Sequence, residues 1–247
     1  KSHTKGLFVV NQSNKLAATL SEDSAHDFGF ENEKAGYNVT GYEQSGFRQK
    51  FRIKGQEFTM NAIGEYNTEN AAAAVAVANQ IGVCLEICAK SLAKYEGIYR
   101  RQQILGEKNS VWVLDDYAHN PAKCAASIKA CQPLADKVIA WFQPHGYGPT
   151  RFLKNDFIEE LSDVLRPNDE IWMSEIFYAG GTAVKDISAE DLVKGIQKNG
   201  KKAFFVENRM DFLETVRPHF DQSTILLLMG ARDPSLEVFT KELFEKL

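Results

Sequence analysis

The second half of the chain alternates continuous apolar runs with amphipathic segments. Runs of this kind predict strands with helices between them. Because the strands are apolar throughout and do not alternate with polar positions, both of their faces are expected to be covered by helices. We therefore predict an α/β fold with a Rossmann-like, doubly wound, mostly parallel sheet. Its strands are predicted near residues 110–115, 137–142, 169–173, 203–206 and 224–229.

The first hundred residues follow a different pattern. Short alternating runs between residues 36 and 60 are separated by glycines, which predicts a small antiparallel meander. The alanine-rich run from Asn67 to Gly82 has high helix propensity. A second helix is expected at about Leu85 to Tyr95. The change of pattern places a domain boundary near residue 105, with domains at 1–105 and 106–247.

Two predicted strands of the second domain end in polar side chains. One of them runs into Asp115 and Asp116, and Tyr117, His119 and Asn120 follow before a helix begins. The next strand ends in a Gln-Pro-His sequence at 143–145. Because ligands of parallel α/β sheets bind beyond the carboxyl ends of the strands, both ends are expected to line one shared cleft.

Composition narrows the classes of partner. Lys and Arg total 29 against 33 for Asp and Glu, so the net charge of −4 offers no basic surface for nucleic acid or an anionic membrane. No apolar run approaches the ~20 residues that cross a bilayer. The cysteines are expected to be reduced and buried in the core, and no metal site is expected at Cys84 and Cys88. We expect a soluble, cytoplasmic protein, whose oligomeric state the sequence leaves open.

Several segments in register resemble the Mur ligase family. They are Gly64–Ala71, Tyr99–Arg101, Asp115–Pro121, Phe142–His145, Ile176–Gly180 and Met229–Ala231. The resemblance implies the last part of the family's middle, ATP-binding domain at 1–105, followed by its Rossmann-like C-terminal domain at 106–247. The family's P-loop is expected before this chain, because no G-x-x-x-x-G-K-[ST] motif occurs in it. The chain alone is therefore not expected to turn over.

The resemblance implies an ATP-dependent amide ligase of peptidoglycan precursor synthesis. Such an enzyme phosphorylates the carboxylate of a UDP-N-acetylmuramate-type sugar nucleotide with Mg-ATP, and an amino acid or short peptide then attacks the acyl phosphate. By similarity, Asn67 and Asn70 bind the adenine side of ATP and Arg101 reaches its phosphates. Asp116 contacts the ribose or orients ATP. Most Mg²⁺ ligands are expected before this chain.

The substrate side of the implied site comprises Tyr117, His119, Asn120, His145 and Arg151. His119 could accept a proton from the attacking ammonium, which would make it catalytic together with Arg101 and Asp116. Structural alternatives stay open: an N-cap at Asn67, a junction salt bridge at Arg101, and for His119 a helix cap or a hydrogen bond to Asp116. Asp115 is expected to be structural and Arg100 to lie at the surface.

Four positions depart from the family pattern. Tyr66 stands where the family has His, and Gly181 stands where an acidic residue is usual. Gly146 and Pro149 replace arginines that recognise the amino acid carboxylate, and Arg151 is the nearest substitute. The amino acid or peptide is therefore open. Two further interpretations remain: a ligase of the folylpolyglutamate or cyanophycin type with another carboxylate and amine, or a non-catalytic nucleotide-binding relative.

Overall fold

The computed structural model describes residue 4 and residues 6–178 and 180–247. The chain divides into two compact units, residues 1–97 and 98–247. This division precedes the boundary expected near residue 105, a position that lies inside a strand of the second unit, Gln103–Lys108. The strand belongs there because it pairs with Val111–Asp116.

The first unit contains the predicted meander, which the structure confirms. Its strands are β1 (Phe28–Phe30), β2 (Tyr37–Ser45), β3 (Arg48–Ile53) and β4 (Gln56–Met60), in that order across the sheet. β2, β3 and β4 are antiparallel, whereas β1, which was not predicted, pairs with β2 in parallel. The helices are α1 (Lys15–Ala18), α2 (Glu65–Gln80) and α3 (Leu85–Leu92), and a 3₁₀ turn occurs at Ser24–His26.

Small side chains let α2 pack closely on this sheet. Ala72 and Ala76 are fully buried in one cluster with Phe51 and Phe58 of the strands. The two phenylalanine rings stack with their centroids 5.5 Å apart. Alanine at these helix positions allows close approach without loss of helix propensity, so this helix can sit directly on the aromatic layer.

The second unit contains the predicted parallel sheet. Its strands are β5 (Gln103–Lys108), β6 (Val111–Asp116), β7 (Lys137–Gln143), β8 (Glu170–Met173), β9 (Lys202–Phe205) and β10 (Thr224–Gly230), in the order β5-β6-β10-β7-β8-β9. All five predicted strands are present and pair in parallel. β5 is an antiparallel edge strand that the pattern did not predict.

Helices cover both faces of this sheet, as the continuous apolar strands predict. They are α4 (Pro121–Cys131), α5 (Tyr147–Phe152), α6 (Lys154–Val164), α7 (Ala189–Lys198), α8 (Phe212–Val216) and α9 (Leu236–Lys246), with 3₁₀ turns at Gln132–Leu134, Arg209–Asp211 and Arg217–His219. Every residue of β7 and β10 is buried. On one face, Trp141 packs against Phe212 of α8 and Phe239 of α9, with ring centroids 6.0 and 4.8 Å away.

The prediction that the cysteines are buried holds for three of the four. All four cysteines are free, and three are buried, but Cys84 is exposed because it is the N-cap of α3 and not part of a core face. In the part of the chain that the structure describes, no helix is both long enough and apolar enough to cross a membrane.

Candidate functional site

Three parallel strands bring their carboxyl ends together in the second unit. β10 lies between β6 and β7, and Met229 of β10 is in register with Asp116 of β6 and Phe142 of β7. The loops that follow these strands, at 117–120, 144–146 and 231–235, therefore meet at one edge of the sheet. Ligands bind at this edge in open α/β folds, where connections leave adjacent strands in different directions.

Asp115 binds a buried arginine on one face of β6. Arg100 Nε donates to Asp115 Oδ2 over 2.9 Å, and Arg100 Nη2 donates to the Gly230 carbonyl over 3.0 Å. The Arg100 carbonyl accepts from the Tyr117 backbone N–H over 2.8 Å. The expectation that Arg100 lies at the surface is therefore wrong: it is 8% exposed, because its guanidinium joins the ends of β6 and β10. Burial raises the pKa of Asp115, and Arg100 opposes that shift.

Asp116 points to the opposite face, since successive side chains of a strand alternate. It is 4% exposed, and both carboxylate oxygens accept hydrogen bonds within the chain. Oδ1 accepts from the Ala118 backbone N–H over 3.0 Å, and Oδ2 accepts from the Ser127 hydroxyl of α4 over 2.7 Å. Burial raises the pKa of Asp116, and these two hydrogen bonds and the Arg101 charge oppose it. Asp116 thus fixes the loop after β6 onto α4.

Two histidines face each other at the strand ends. The ring centroids of His119 and His145 are 5.6 Å apart, and the Tyr117 ring lies 5.6 Å from His119. His119 Nδ1 is 2.8 Å from the Tyr117 carbonyl oxygen. A carbonyl only accepts, so Nδ1 carries the proton in this contact and Nε2 of a neutral ring keeps a lone pair. Neither a helix cap nor a bond to Asp116 accounts for the position of His119.

His145 is held by a bridge between two loops. The backbone N–H of Gly146 donates to the Phe177 carbonyl over 2.9 Å, and the Phe177 N–H donates to the Pro144 carbonyl over 2.8 Å. Among the described residues, buried His145 Nδ1 finds no hydrogen-bond partner. Burial, followed by the proximity of His119 and Arg232, lowers the pKa of His145. The ring is therefore neutral at neutral pH, with an unsatisfied nitrogen at the site.

Two exposed arginines follow or flank these strand ends. Arg101 Cζ lies 5.3 Å from the centroid of the Tyr117 ring. Arg232 follows β10, and its backbone N–H donates to the Tyr117 hydroxyl over 3.3 Å. Sequence reasoning did not identify Arg232. Its position directly after the Met229–Ala231 segment, at the end of a predicted strand, was the available signal.

The remaining predicted residues of this unit have local partners. Asn120 is the N-cap of α4, where its side chain accepts from the Lys123 N–H over 2.9 Å. Arg151 lies exposed on α5, and its Nε donates to Asp186 over 2.8 Å while Nη2 donates to the Val184 carbonyl over 3.0 Å. Arg151 is thus engaged by the segment before α7. Within the Ile176–Gly180 motif, residue 179 lies outside the described residues.

The start of α2 carries the two asparagines of the first unit. Gly64 is the N-cap, with φ of 82°, so the proposed N-cap at Asn67 is wrong: the helix begins one turn earlier. Buried Gln49 donates to the Gly64 carbonyl over 2.8 Å and accepts from the Thr68 hydroxyl over 2.9 Å. These bonds tie the helix start to β3.

Asn67 and Asn70 lie one turn apart on the helix and share a face. Asn67 is half-buried, and its Nδ2 donates to the Ile63 carbonyl over 2.8 Å. Asn70 is exposed. The exposed Asn70 amide has both a donor and an acceptor to offer a ligand.

Two family models match the chain. Residues 100–232 match the family model described as Mur ligase, glutamate ligase domain, and residues 1–78 match the Mur ligase middle domain. The UDP-N-acetylmuramate–L-alanine ligase of Pelotomaculum thermopropionicum is 36% identical over 172 residues, covering 69% of this chain and 36% of that protein. The ligase of that name from Clostridium acetobutylicum is 28% identical, covering 93% of this chain and 51% of that protein.

Solved structures show the same fold. The UDP-N-acetylmuramate-alanine ligase MurC of Thermotoga maritima superimposes with a TM-score of 0.74 at 22% identity, covering 97% of this chain and 51% of that one. MurF of Acinetobacter baumannii gives 0.72 at 22% identity, covering 96% and 51%. The chain spans about half the length of these proteins. Since a family model matches residues 100–232 and a relative is 36% identical over two thirds of the sequence, the chain belongs to the Mur ligase family.

Proposed function

We propose that the full-length protein is an ATP-dependent amide ligase of peptidoglycan precursor synthesis, acting in the cytoplasm. It joins an amino acid or short peptide to the carboxylate of a UDP-N-acetylmuramate-type sugar nucleotide. Relatives at 36% and 32% identity that carry the name UDP-N-acetylmuramate–L-alanine ligase support the substrate class. The observation that carries the proposal is the grouping of His119 and His145 with two exposed arginines at adjacent strand ends.

The charges at these strand ends suit anionic substrates. Arg101 and Arg232 are both exposed and both contact Tyr117, one through its ring and the other through its hydroxyl. A guanidinium presents paired donors that match the oxygens of a phosphate or a carboxylate. Arg101 is proposed to bind the phosphates of ATP, and Asn67 and Asn70 in the first unit are proposed to bind its adenine.

ATP in its magnesium complex supplies the phosphoryl group that activates the substrate carboxylate. Within residues 4, 6–178 and 180–247, no three His, Cys, Asp or Glu side chains are grouped to hold a metal ion. A Mg²⁺ ion bound with ATP takes most of its ligands from phosphates and water and needs only one or two carboxylates, so this finding concerns a metal site built by protein side chains and not the magnesium of Mg-ATP. Asp116 is proposed to orient ATP through the loop that it holds, since its own carboxylate is buried and bonded.

His119 is proposed to accept a proton during amide formation. The incoming amine is an ammonium at neutral pH and must lose a proton before its nitrogen attacks the acyl phosphate carbon and phosphate leaves. The lone pair on His119 Nε2 is available because Nδ1 is bonded to the Tyr117 carbonyl. Tyr117 and His145 are proposed to line the side of the site next to His119. Asn120 holds the loop that carries His119 by capping α4. Arg151 would reach a substrate only after its ion pair with Asp186 is broken.

Phosphate release by the full-length protein tests the proposal. Mg-ATP and UDP-N-acetylmuramate are supplied, and small amino acids and the muramyl tripeptide are added one at a time. Release that requires both the sugar nucleotide and one amine is expected. Release that requires a different carboxylate would indicate a ligase of the folylpolyglutamate or cyanophycin type. Binding of ATP without release under any of these conditions would indicate a non-catalytic relative.

A further inference from the structure

Arg232 has an unusual backbone for an arginine. Its φ is 64°, in the left-handed region that side chains with a Cβ disfavour. Strained residues of this kind persist where the surrounding structure holds them, and they concentrate at ligand sites. Glycine would occupy this position without strain, so the backbone conformation alone does not account for an arginine here.

The surrounding structure does hold this turn. The Arg232 N–H donates to the Tyr117 hydroxyl over 3.3 Å, and the Asp233 N–H donates to the Ala231 carbonyl over 2.9 Å. The Asp233 carboxylate is in turn bound by Arg209, whose guanidinium also donates to Gln143 of β7 over 2.9 Å. The turn is therefore fastened to the ends of both β6 and β7.

The Arg232 guanidinium is available to a ligand. The side chain is exposed, and no carboxylate of the described residues forms an ion pair with it. Its charge reaches His145, whose pKa it helps to lower. Arg151, by contrast, is bound to Asp186 and the Val184 carbonyl. Arg232 thus offers a fork of donors that Arg151, which is already bound, does not.

We infer that Arg232 binds the carboxylate of the incoming amino acid or peptide and so determines which amines are accepted. The inference rests on the proposed function, because it assigns a substrate group to the same site. It places the amine's carboxylate at the loop that follows β10, near His119 and His145. It also assigns to Arg232 the carboxylate recognition that Gly146 and Pro149 cannot supply. An oxyanion of ATP is the other ligand with matching chemistry, and the experiment separates the two.

Isothermal titration of the full-length protein tests the inference without relying on turnover. Small amino acids and their amides are titrated in the presence of UDP-N-acetylmuramate and a non-hydrolysable ATP analogue. The wild type is expected to prefer the amino acid over its amide, and Arg232→Gly to weaken amino acid binding by about tenfold or more, since a charge-assisted hydrogen bond is lost. Binding of the amide should stay the same. Arg232→Lys, which keeps the charge but loses the fork, should fall between them.

Arg232→Gly is suited to this test because glycine accepts a positive φ. The melting temperature of this variant should therefore not fall below that of the wild type. Lys198→Ala removes an exposed positive charge from α7 as the matched control and should bind like the wild type. Arg151→Ala is measured as well, because Arg151 is the other candidate for binding the carboxylate.

Four results would overturn the inference. One is weaker binding of the ATP analogue to Arg232→Gly, and another is unchanged amino acid binding to that variant. The third is loss of the preference for the amino acid over its amide in Arg151→Ala alone. The fourth is a wild type that binds no amino acid of the panel. Failure of the proposed function gives a different result, namely no phosphate release by a wild type whose carboxylate preference still depends on Arg232.

Discussion

Arg100 and Asp115 form an ion pair inside the second unit, with Nε 2.9 Å from Oδ2 and Nη2 3.3 Å from Oδ1. Their side chains are 10% and 4% exposed. Arg100 also donates to the Gly230 carbonyl and accepts from the Tyr117 N–H, so this pair connects the ends of β6 and β10. It is a structural support beside Tyr117, whose ring centroid lies 5.3 Å from Arg100 Cζ.

Asp115→Ala should destabilise the protein strongly. The change leaves the buried Arg100 charge without a partner, which costs about 3–5 kcal/mol. The exposed pair of Arg151 and Asp186 supplies the matched control, and Asp186→Asn should cost at most ~1 kcal/mol. Denaturant unfolding measures both. Similar losses in the two variants would contradict the assigned role of Asp115.

Turnover should separate structural residues from site residues. Arg101→Ala and Asp116→Ala should reduce phosphate release per folded molecule far more than Asp115→Ala, because Arg101 is exposed at the site and Asp116 holds the loop that carries His119. The measurement is made at a temperature where each variant is folded, as checked by circular dichroism. Equal reductions in all three variants, or none in any, would refute this division.

The raised pKa of Asp116 predicts a pH-dependent stability of defined sign. A carboxyl whose pKa is higher in the folded state than in the unfolded state binds more protons when folded, so the free energy of unfolding falls as the pH rises from the ordinary value, about 4, through the folded value. Asp116→Asn should remove this contribution. As the pH rises over that range, the free energy of unfolding of the variant should therefore rise more steeply, or fall less, than that of the wild type.

Asp169 provides the control of opposite sign. Burial raises its pKa, but hydrogen bonds from Arg166 and the Val138 N–H outweigh burial and hold the value below the ordinary one. The stability that ionised Asp169 contributes is present above the unfolded pKa and is lost as the pH falls through the folded pKa. Asp169→Asn should therefore make the free energy of unfolding rise less steeply with pH over that range. Shifts of the same sign in both variants would contradict the assignment.

His119→Gln should lower kcat by about 10²–10⁴-fold, the usual contribution of a positioned proton acceptor. The acid limb of the pH–rate profile, which reports protonation of the acceptor, should disappear in the variant. His26→Gln makes the same change at an exposed histidine of the first unit and should leave the profile intact. A retained acid limb in His119→Gln would mean that another group accepts the proton.

Gly64→Ala should weaken ATP binding. The N-cap backbone, with φ of 82° and ψ of 138°, disfavours a residue with a Cβ at a cost of about 1–3 kcal/mol, and strain here disturbs the helix start that carries Asn67 and Asn70. Gly55→Ala is the control for a positive φ, since its φ is 81° in an exposed turn between β3 and β4. Gly64→Ala should lose at least as much stability by denaturant unfolding, because Gly64 is buried, and only Gly64→Ala should bind ATP less tightly. Equal affinity in the two variants would argue against adenine binding at α2.

The local pattern of the sequence determined the five parallel strands of the second unit and the strand ends at which the candidate site lies. Continuous apolar runs such as 224–229 are stable only when both faces are covered, so they predicted parallel strands between helices, and the structure confirms them. The proximity of His119 and His145 also followed from the pattern, because parallel strands place their carboxyl ends at one edge.

Tertiary structure alone decided the partners of the charged residues. Arg100 and Arg101 are adjacent in sequence, yet one is buried and the other exposed, because β5 pairs antiparallel with β6 and brings Arg100 to Asp115 and Gly230. Arg232 joins the site because β10 inserts between β6 and β7, although it lies far along the chain from both. Periodicity reports which face of an element is buried, whereas strand order and ion pairing depend on contacts between distant residues, which no local pattern contains.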